Sequence, residues 1–445
     1  MIQTWRKTSS ELIYSPNVIK DIHMKTIDGY DVKIFTDNIE DTAIEQIRQL
    51  LSIDVFSDCK IRIMPDVHAG AGCVIGFTGN LGDKVIPNIV GVDIGCGMLV
   101  QPFICNNPID FHALNEYILR AIPSGRDFRD ENYLPLSQKY SDIYQNAKQL
   151  ILQLRCYREL KEVRRLYKSI GSLGSGNHFI ELDKDESDLY YLVVHTGSRN
   201  LGKQVADIYQ KLAVKCQSGW DKLMVEKNRI IEEYKQAGRK SELQDVIRNL
   251  HNSFKTCKLT IPQDLCYLQG QFREDYLHDM HICQCWAQIN RKLIVNLIMD
   301  FIVGKGLASS EEHFQPFESV HNYIGNDNII RKGAISARLG EKCIIPLNMR
   351  DGSLICIGKG NEDWNFSAPH GAGRIMSRSQ AFKEISLEDF KKSMEDVYSE
   401  TVTEYTKDES PMVYKSKREI MNNIKGTVDI ETVIKPVFNF KAADI

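Results

Sequence analysis

The reactive side chains of this 445-residue chain gather in glycine-rich loops rather than in its charged helical stretches. Val92-Asp93-Ile94-Gly95-Cys96-Gly97 puts a carboxylate and a thiol three residues apart at a predicted strand end, where both can turn toward one point. Gly174-Ser175-Gly176-Asn177-His178-Phe179 enters a short strand that carries Glu181, and His195-Thr196-Gly197-Ser198-Arg199 follows an apolar strand directly. A further loop reads Met64-Pro65-Asp66-Val67-His68-Ala69-Gly70. Each residue alone has a plain structural reading: a histidine after a strand is commonly a hydrogen-bonded turn residue, and Cys96 a core thiol. Asp93, Cys96, His178 and His195, all beside glycines on strand-end loops, together point to a shared metal site. Thiolate, imidazole and carboxylate ligands first suggest zinc.

The segment Asn361 to Arg374, ending Ser367-Ala368-Pro369-His370-Gly371-Ala372-Gly373-Arg374, suggests phosphate chemistry. Glycines after His370 leave room for a phosphate and expose backbone amides to it. Arg374 and Arg378 add bidentate phosphate donors. A neutral imidazole can attack phosphorus and form a phosphoramidate, which makes His370 a candidate covalent nucleophile; the alternative is a turn capped by histidine. Gly358-Lys359-Gly360 lacks the hydroxyl residue of a phosphate-binding loop. Lys25-Thr26-Ile27-Asp28-Gly29 is one residue too long for the Lys-x-Asp-Gly of lysine-adenylate ligases. His278, His281, Cys283 and Cys285 resemble a zinc cluster, but a helix there would point Cys283 away from the face His278 and His281 share, which favours a packed helix.

These loops need strands to hold them. From Ile61 to Val100, short β-branched runs (Cys73-Val74-Ile75, Val85-Ile86-Pro87, Ile89-Val90-Gly91-Val92) alternate with glycine turns and read as buried strands. Helical spacing follows from Pro135 to Ser169, strand and loop from Ile170 to Gly202, and helix again over about 204–301, where Asp221 to Asn252 reads as a solvated helix pair. A strand-rich zone runs from Ala334 to His370, after which helices are expected to close the chain. Within that last region, the apolar Val433, Ile434, Val437, Phe438 and Phe440 predict an anchored end instead of a free tail. Helices that interrupt a strand-rich core predict one intertwined α+β domain over 1–445.

Composition bounds the rest. Apolar residues make up 42% and charged residues 26%, enough for a sizeable core. A net charge of −3 shows no global basic excess, so RNA binding would need a local basic groove. No apolar run approaches the roughly 18 residues of a membrane span, and Met1 to Arg6 lacks the apolar core of a secretion signal. Twelve scattered cysteines suit buried thiols in a reducing, cytoplasmic setting.

The blocks MPDVHAG, VGVDIGCGM, GSGNHFIEL, VHTGSRNLG, HNYI and SAPHGAGR, followed by MSRSQA, resemble the RtcB family of RNA ligases in the family's own order. The resemblance implies two Mn²⁺ held by Asp93, Cys96, His178, His195 and His321, with the cysteine thiolate bridging them; on that ground manganese replaces zinc. It implies GTP as co-substrate and a guanylate carried on His370. Asn177, Glu181, Asn322, Pro346, Met349, Ser353, Gly371, Ala372 and Gly373 match positions around the nucleotide. Lys441, following Pro436 at the family's spacing, would contact the guanine. Ser198, Arg199, Arg374 and Arg378 would meet RNA phosphates. The substrates implied are RNA ends, such as cleaved tRNA, with room for an activating protein partner and none for a membrane.

There are departures. Pro346-Leu347-Asn348-Met349 stands where many members have Pro-Gly-Ser-Met, which puts nucleotide contacts from 346–349 in question. Gly95 stands where others have Asn. The expected activity joins a 2′,3′-cyclic phosphate or 3′-phosphate to a 5′-hydroxyl through guanylylated histidine. The rivals are a metal-dependent RNA-end phosphoesterase and a non-catalytic RNA-end binding protein.

Overall fold

A computed structural model describes residues 25–27, 29–254, 257–308 and 314–442. The reading of Met1 to Arg6 therefore lies outside the described residues. The fold is α+β, built on two sheets.

The larger sheet runs, in spatial order, Phe317–Val320, Gly97–Phe103, Tyr190–Thr196, Phe179–Lys184, Val428–Lys441, Gly352–Gly358 and Lys342–Asn348, with every neighbour antiparallel. It curls until its outer strands meet, where the Ile344 amide donates to Ser319 Oγ at 3.1 Å. Side-chain alternation sorts the two faces. Met98, Val100, Phe179, Val193, Ile344, Ile355 and Ile434 fill the inside. Ile180, Leu182, Leu192, Val194, Phe438 and Phe440 face outward onto the helices Phe111–Ala121 and Gly270–Gly304. The second sheet, Lys25–Thr26, Val32–Ile34, Ile61–His68, Ile75–Asn80, Ile329–Lys332 and Asn322–Ile324, packs beside it and carries Asp66 and His68.

Gly270–Gly304 has no proline or glycine between its ends. It is apolar on more than one side, because it is wedged between two cores: Tyr276, Met280, Cys283 and Trp286 enter one, and Ile294, Ile298 and Ile302 the other. Helices Asp221–Gln236 and Leu243–Ser253 form the expected solvated pair, tied to Arg199–Lys215 through a bulged turn at Cys216–Trp220. Among the described residues no helix is long and apolar enough to cross a membrane. All twelve cysteines are free and nine are buried, in line with a chain that uses thiols as core residues.

Two local readings need correction. Ile89 and Val90 belong to the short helix Pro87–Val90, not to a strand. Proline at its first turn presets the helical φ, and Gly91 at φ +93 ends it, so punctuation outweighs β-branching. The last described element is also not a helix but the strand Val428–Lys441, whose first half pairs with Gly352–Gly358 and whose second half pairs with Phe179–Lys184. Its run of β-branched and aromatic residues is the anchor the apolar tail promised.

Candidate active site

Register gathers the site on one rim of the larger sheet. Val320 pairs with Gly97, so His321 and Cys96, each one residue beyond the paired ends, stand opposite one another. His195 pairs with Met98 on one side and Phe179 on the other, which puts His178 beyond the next strand end. Lys441 pairs with Phe179 one strand further on. Five side chains from four distant stretches of chain thus share one edge, and the loop carrying Asp93 folds over it.

The donor atoms converge tightly. Cys96 Sγ lies 3.4 Å from His178 Nε2 and 3.3 Å from His195 Nε2. His178 Nε2 is 2.9 Å from Asp93 Oδ2, and His195 Nε2 is 3.4 Å from His321 Nε2. Two groups emerge, Asp93–Cys96–His178 and Cys96–His195–His321, each with its ligand atoms within 4.8 Å of one another. Cys96 belongs to both. His178 and His195 turn their Nδ1 atoms to the carbonyls of Leu173 (2.9 Å) and Asn177 (3.0 Å), which orients both Nε2 atoms into the cluster. Burial, reinforced by neighbouring imidazoles, holds His195 and His321 well below the usual histidine range, so both are neutral donors. Burial and then the Asp93 charge push the Cys96 thiol up. Burial also pushes Asp93 up, but its bonds to His178 and Cys96 outweigh that and hold it at about 2. Neutral imidazoles, an anionic carboxylate and a thiol within bonding range of one another fit metal ions, whose charge would make the thiolate form the stable one.

His370 sits next to this cluster. Its strand, Ser367–Pro369, pairs with Ala334–Ser336, and the Gly333 amide donates to the His321 carbonyl at 2.7 Å. The His370 and His321 rings consequently lie 4.8 Å apart. Asp66 Oδ2 is 2.6 Å from His370 Nδ1 and accepts from the His370 amide at 3.1 Å. Asp66 is fully buried. Gly373 lets these loops meet: at φ +74, a Cβ there would lie 2.4 Å from the Asp66 carbonyl oxygen. The buried Lys415 ammonium donates to the carbonyls of Pro65 (2.8 Å) and Asn38 (2.9 Å) behind the same loop.

A cavity of about 200 Å³ opens beside His370. Asn177, Glu181, Pro346, Met349, Gly371, Ala372, Gly373 and Lys441, expected by resemblance around a nucleotide, line it together with Arg374 and Arg378, expected at RNA phosphates. Leu347 lines it too, without a left-handed backbone: it is the extra residue of a bulge between Pro346 and Asn348, with its side chain in a core. The segment 346–349 therefore borders the cavity despite Leu347 standing where many members have glycine.

Other expected residues are placed differently. Ser353 is buried between Pro346 and Ile434 with no partner for its hydroxyl. Asn322 is engaged with backbone, donating to the Asp93 carbonyl (3.2 Å) and accepting from the Gly333 amide (3.0 Å), so it props up the metal loop. Ser198 is buried against Gly202 instead of facing open space. Arg199, at a left-handed φ of +58, lays its guanidinium over Gly174 and donates to the Gly125 carbonyl at 2.9 Å. It borders a larger cleft of about 700 Å³ that reaches Asp93 and His178 and carries Arg126, Lys161, Arg165 and Lys203.

Sequence reasoning passed over the acidic side of the nucleotide cavity. Glu409 is buried and accepts from Lys441 Nζ at 2.7 Å, with Arg374 at 3.3 Å and Arg378 at 3.7 Å. Those three cations outweigh the effect of burial and hold Glu409 below the usual carboxylate range. In sequence, Lys407-Asp408-Glu409 looks like a solvated turn, and nothing local marks it. Asp66 was visible within a quoted loop, yet only the fold sets it on His370. Gly95 is explained by packing: at φ +71, a Cβ there would meet Gln284 Cα of the long helix at 2.8 Å. On that helix Cys283 is core, His278 meets Asp279, and His281 meets Cys285 at 3.6 Å, so the four do not converge.

The family model for the tRNA-splicing ligase RtcB matches residues 46–442. The chain belongs to the RtcB family. Among its relatives, the RNA-splicing ligase RtcB of Escherichia coli K12 is 29% identical over 402 residues, covering 85% of this chain and 88% of the relative. The tRNA-splicing ligase RtcB of Methanococcus maripaludis is 24% identical over 459 residues, covering 86% and 87%. The RNA-splicing ligase RtcB of Mycobacterium bovis is 23% identical, covering 80% and 90%. Every residue of the candidate site described above, from Asp66 to Lys441, falls within the span matched to RtcB.

Proposed function

We propose that this chain works as one ligase unit that seals RNA, joining a 2′,3′-cyclic phosphate or 3′-phosphate end to a 5′-hydroxyl end with GTP through a guanylate on His370. The observation that carries this reading is the position of His370. Its Nδ1 is held by Asp66, its ring borders the metal-ligand cluster, and it opens on the cavity lined by the expected nucleotide residues.

Asp93, Cys96, His178, His195 and His321 would hold two Mn²⁺, with Cys96 shared. Bound there, the metals supply positive charge that stabilises phosphate oxygens and leaving groups and activates water to open a cyclic end. Asp66 accepts the Nδ1 proton of His370, which leaves the Nε2 lone pair free and stabilises the ring as it becomes cationic. Nε2 attacks the α-phosphorus of GTP, the P–N bond forms, and the bond to the pyrophosphate oxygen breaks. An oxygen of the RNA 3′-phosphate then attacks the guanylate phosphorus, and His370 departs neutral. The 5′-hydroxyl of the second RNA attacks the activated 3′-phosphate and GMP leaves. Asn177, Glu181, Pro346, Met349, Gly371, Ala372, Gly373 and Lys441 enclose the nucleotide, Ser353 stands behind Pro346 in the sheet, and Asn322 holds the Asp93 loop. Arg199, Arg374 and Arg378 orient the phosphates, and buried Ser198 packs against Gly202 beneath the loop that carries Arg199. The RNA ends include cleaved tRNA, and the free thiol ligand suits a reducing cytoplasm.

Incubation with labelled GTP and Mn²⁺ tests the reading. Wild-type protein should retain label in an acid-labile, base-stable bond, and His370→Ala should not. That variant should still join RNA supplied with a pre-made guanylated 3′-end. Opening of cyclic ends without label or joining would make the protein a phosphoesterase instead. RNA binding with neither reaction would make it an end-binding protein.

A further inference from the structure

Three consecutive residues face three cavities. Ser175 borders the 700 Å³ cleft, Asn177 the 200 Å³ nucleotide cavity, and Gly176 a third cavity of about 230 Å³. The third adjoins the nucleotide cavity through Arg378 and Glu409, which line both. Its walls carry two aromatic rings, and Arg378 with the carboxylates Asp408 and Glu409 that pair with it. Arg378 and Phe382 lie one turn apart on the helix Arg378–Glu384, and Tyr405 faces them from the segment Glu404–Glu409. Tyr405 is 63% exposed and Phe382 41% exposed. Two solvent-facing rings beside a half-exposed guanidinium are the components of a base-stacking site, since every nucleobase offers a π-face to aromatic rings and to arginine.

Joining two RNA ends requires two approaches to one reaction centre. The larger cleft reaches the cluster from the Asp93 and His178 side, and its cations Arg126, Lys161, Arg165, Lys203 and Lys211 can meet a phosphate backbone between the carboxylates Asp127, Glu159, Glu162 and Asp207. The third cavity lies across the Ser175–Asn177 loop and shares Arg378 and Glu409 with the nucleotide cavity, where the 3′-phosphate would take the guanylate. It has room for one planar ring and not for a duplex. Resting on the ligase reading above, we propose that this cavity holds a nucleobase of the single-stranded RNA arm that ends in 3′-phosphate, stacked against Tyr405 and Phe382 with Arg378 beside it.

The test is binding, in the absence of GTP, of a fluorescent single-stranded oligoribonucleotide ending in 3′-phosphate, read by anisotropy. Tyr405→Ala and Phe382→Ala should each weaken it about tenfold, and Tyr405→Trp should restore it. An abasic site near the 3′-end should cost wild-type protein a similar factor and cost Tyr405→Ala nothing more. In joining assays the change should fall on KM for the 3′-phosphate RNA and not on kcat. Unchanged binding in both alanine variants overturns the proposal. So does a loss confined to a 5′-hydroxyl oligoribonucleotide with an unphosphorylated 3′-end, or an aromatic pair needed only for capture of a protein partner. Because binding is read without GTP, failure of His370 to take up label leaves this test intact.

Discussion

The two sides of His370 are built on opposite electrostatic plans. On one side, Cys96, His178, His195 and His321 crowd their donor atoms together with Asp93. On the other, Glu409 is surrounded by Lys441, Arg374 and Arg378, with Asp408 accepting from Arg378 at 3.3 Å. The first group is a set of electron-pair donors that gains most from an added cation. The second already pairs its cations with carboxylates of the same chain. One region gains from an added cation; the other is held together by its own ion pairs, and a nucleotide of the kind proposed above would have to compete for them.

The largest expected effect breaks the first region. Cys96→Ala removes the ligand common to both groups, and metal content and joining should both fall to background, with Cys96→Ser retaining weak binding. Changing Cys283 and Cys285 together to Ser should leave metal content as it was. Metal lost from that double variant would move the metal site away from the rim.

Glu409→Gln breaks the second region. Removing one partner from a buried ionic cluster costs about 3–5 kcal/mol, so denaturant unfolding should show a drop of that order with metal binding retained. A variant as stable as wild type would mean the cations relax outward and the cluster is not prepaid.

Glu181 sharpens the comparison through pH. Burial pushes its carboxyl from the ordinary 4.5 up to about 7, against the opposing influence of Asn439 and Lys441. Across that window the folded protein holds a proton the unfolded chain releases, so stability should decline as pH rises. Buried Asp183, raised well above the carboxylate range, acts in the same direction. Asp93, held at about 2, acts oppositely, its contribution being lost only as pH falls through 3.8 toward 2. Glu181→Gln should flatten the neutral-side slope in thermal melts between pH 5 and 7. An unchanged slope would assign it to other groups.

The smallest effect concerns Lys441. Lys441→Ala should weaken GTP relative to ATP by about tenfold, the loss of one hydrogen bond from a charged donor, because guanine O6 accepts where adenine presents an amino group. Competition binding with both nucleotides would measure it. Unaltered selectivity would show that Lys441 serves Glu409 and not the base.

Local pattern was enough for much of this. The Asp93–Cys96 spacing, the glycine-flanked His178, His195 and His370, and the apolar residues of 433–440 each mark themselves within a few positions, since turn chemistry and side-chain alternation are short-range. His321 carried no such mark and came only by resemblance. It joins the cluster because Val320 pairs with Gly97, a register set between residues more than two hundred positions apart. Glu409 carries no local mark, and packing encloses it with three cations. Gly95 departs from the family's Asn because the long helix lies 2.8 Å from where a side chain would be. Composition and spacing determined which chemistries were available and that strands would present them. Which strand ends met on one rim, and which charges were sealed together behind the nucleotide cavity, only the tertiary structure decided, because pairing and burial depend on segments that local sequence does not name.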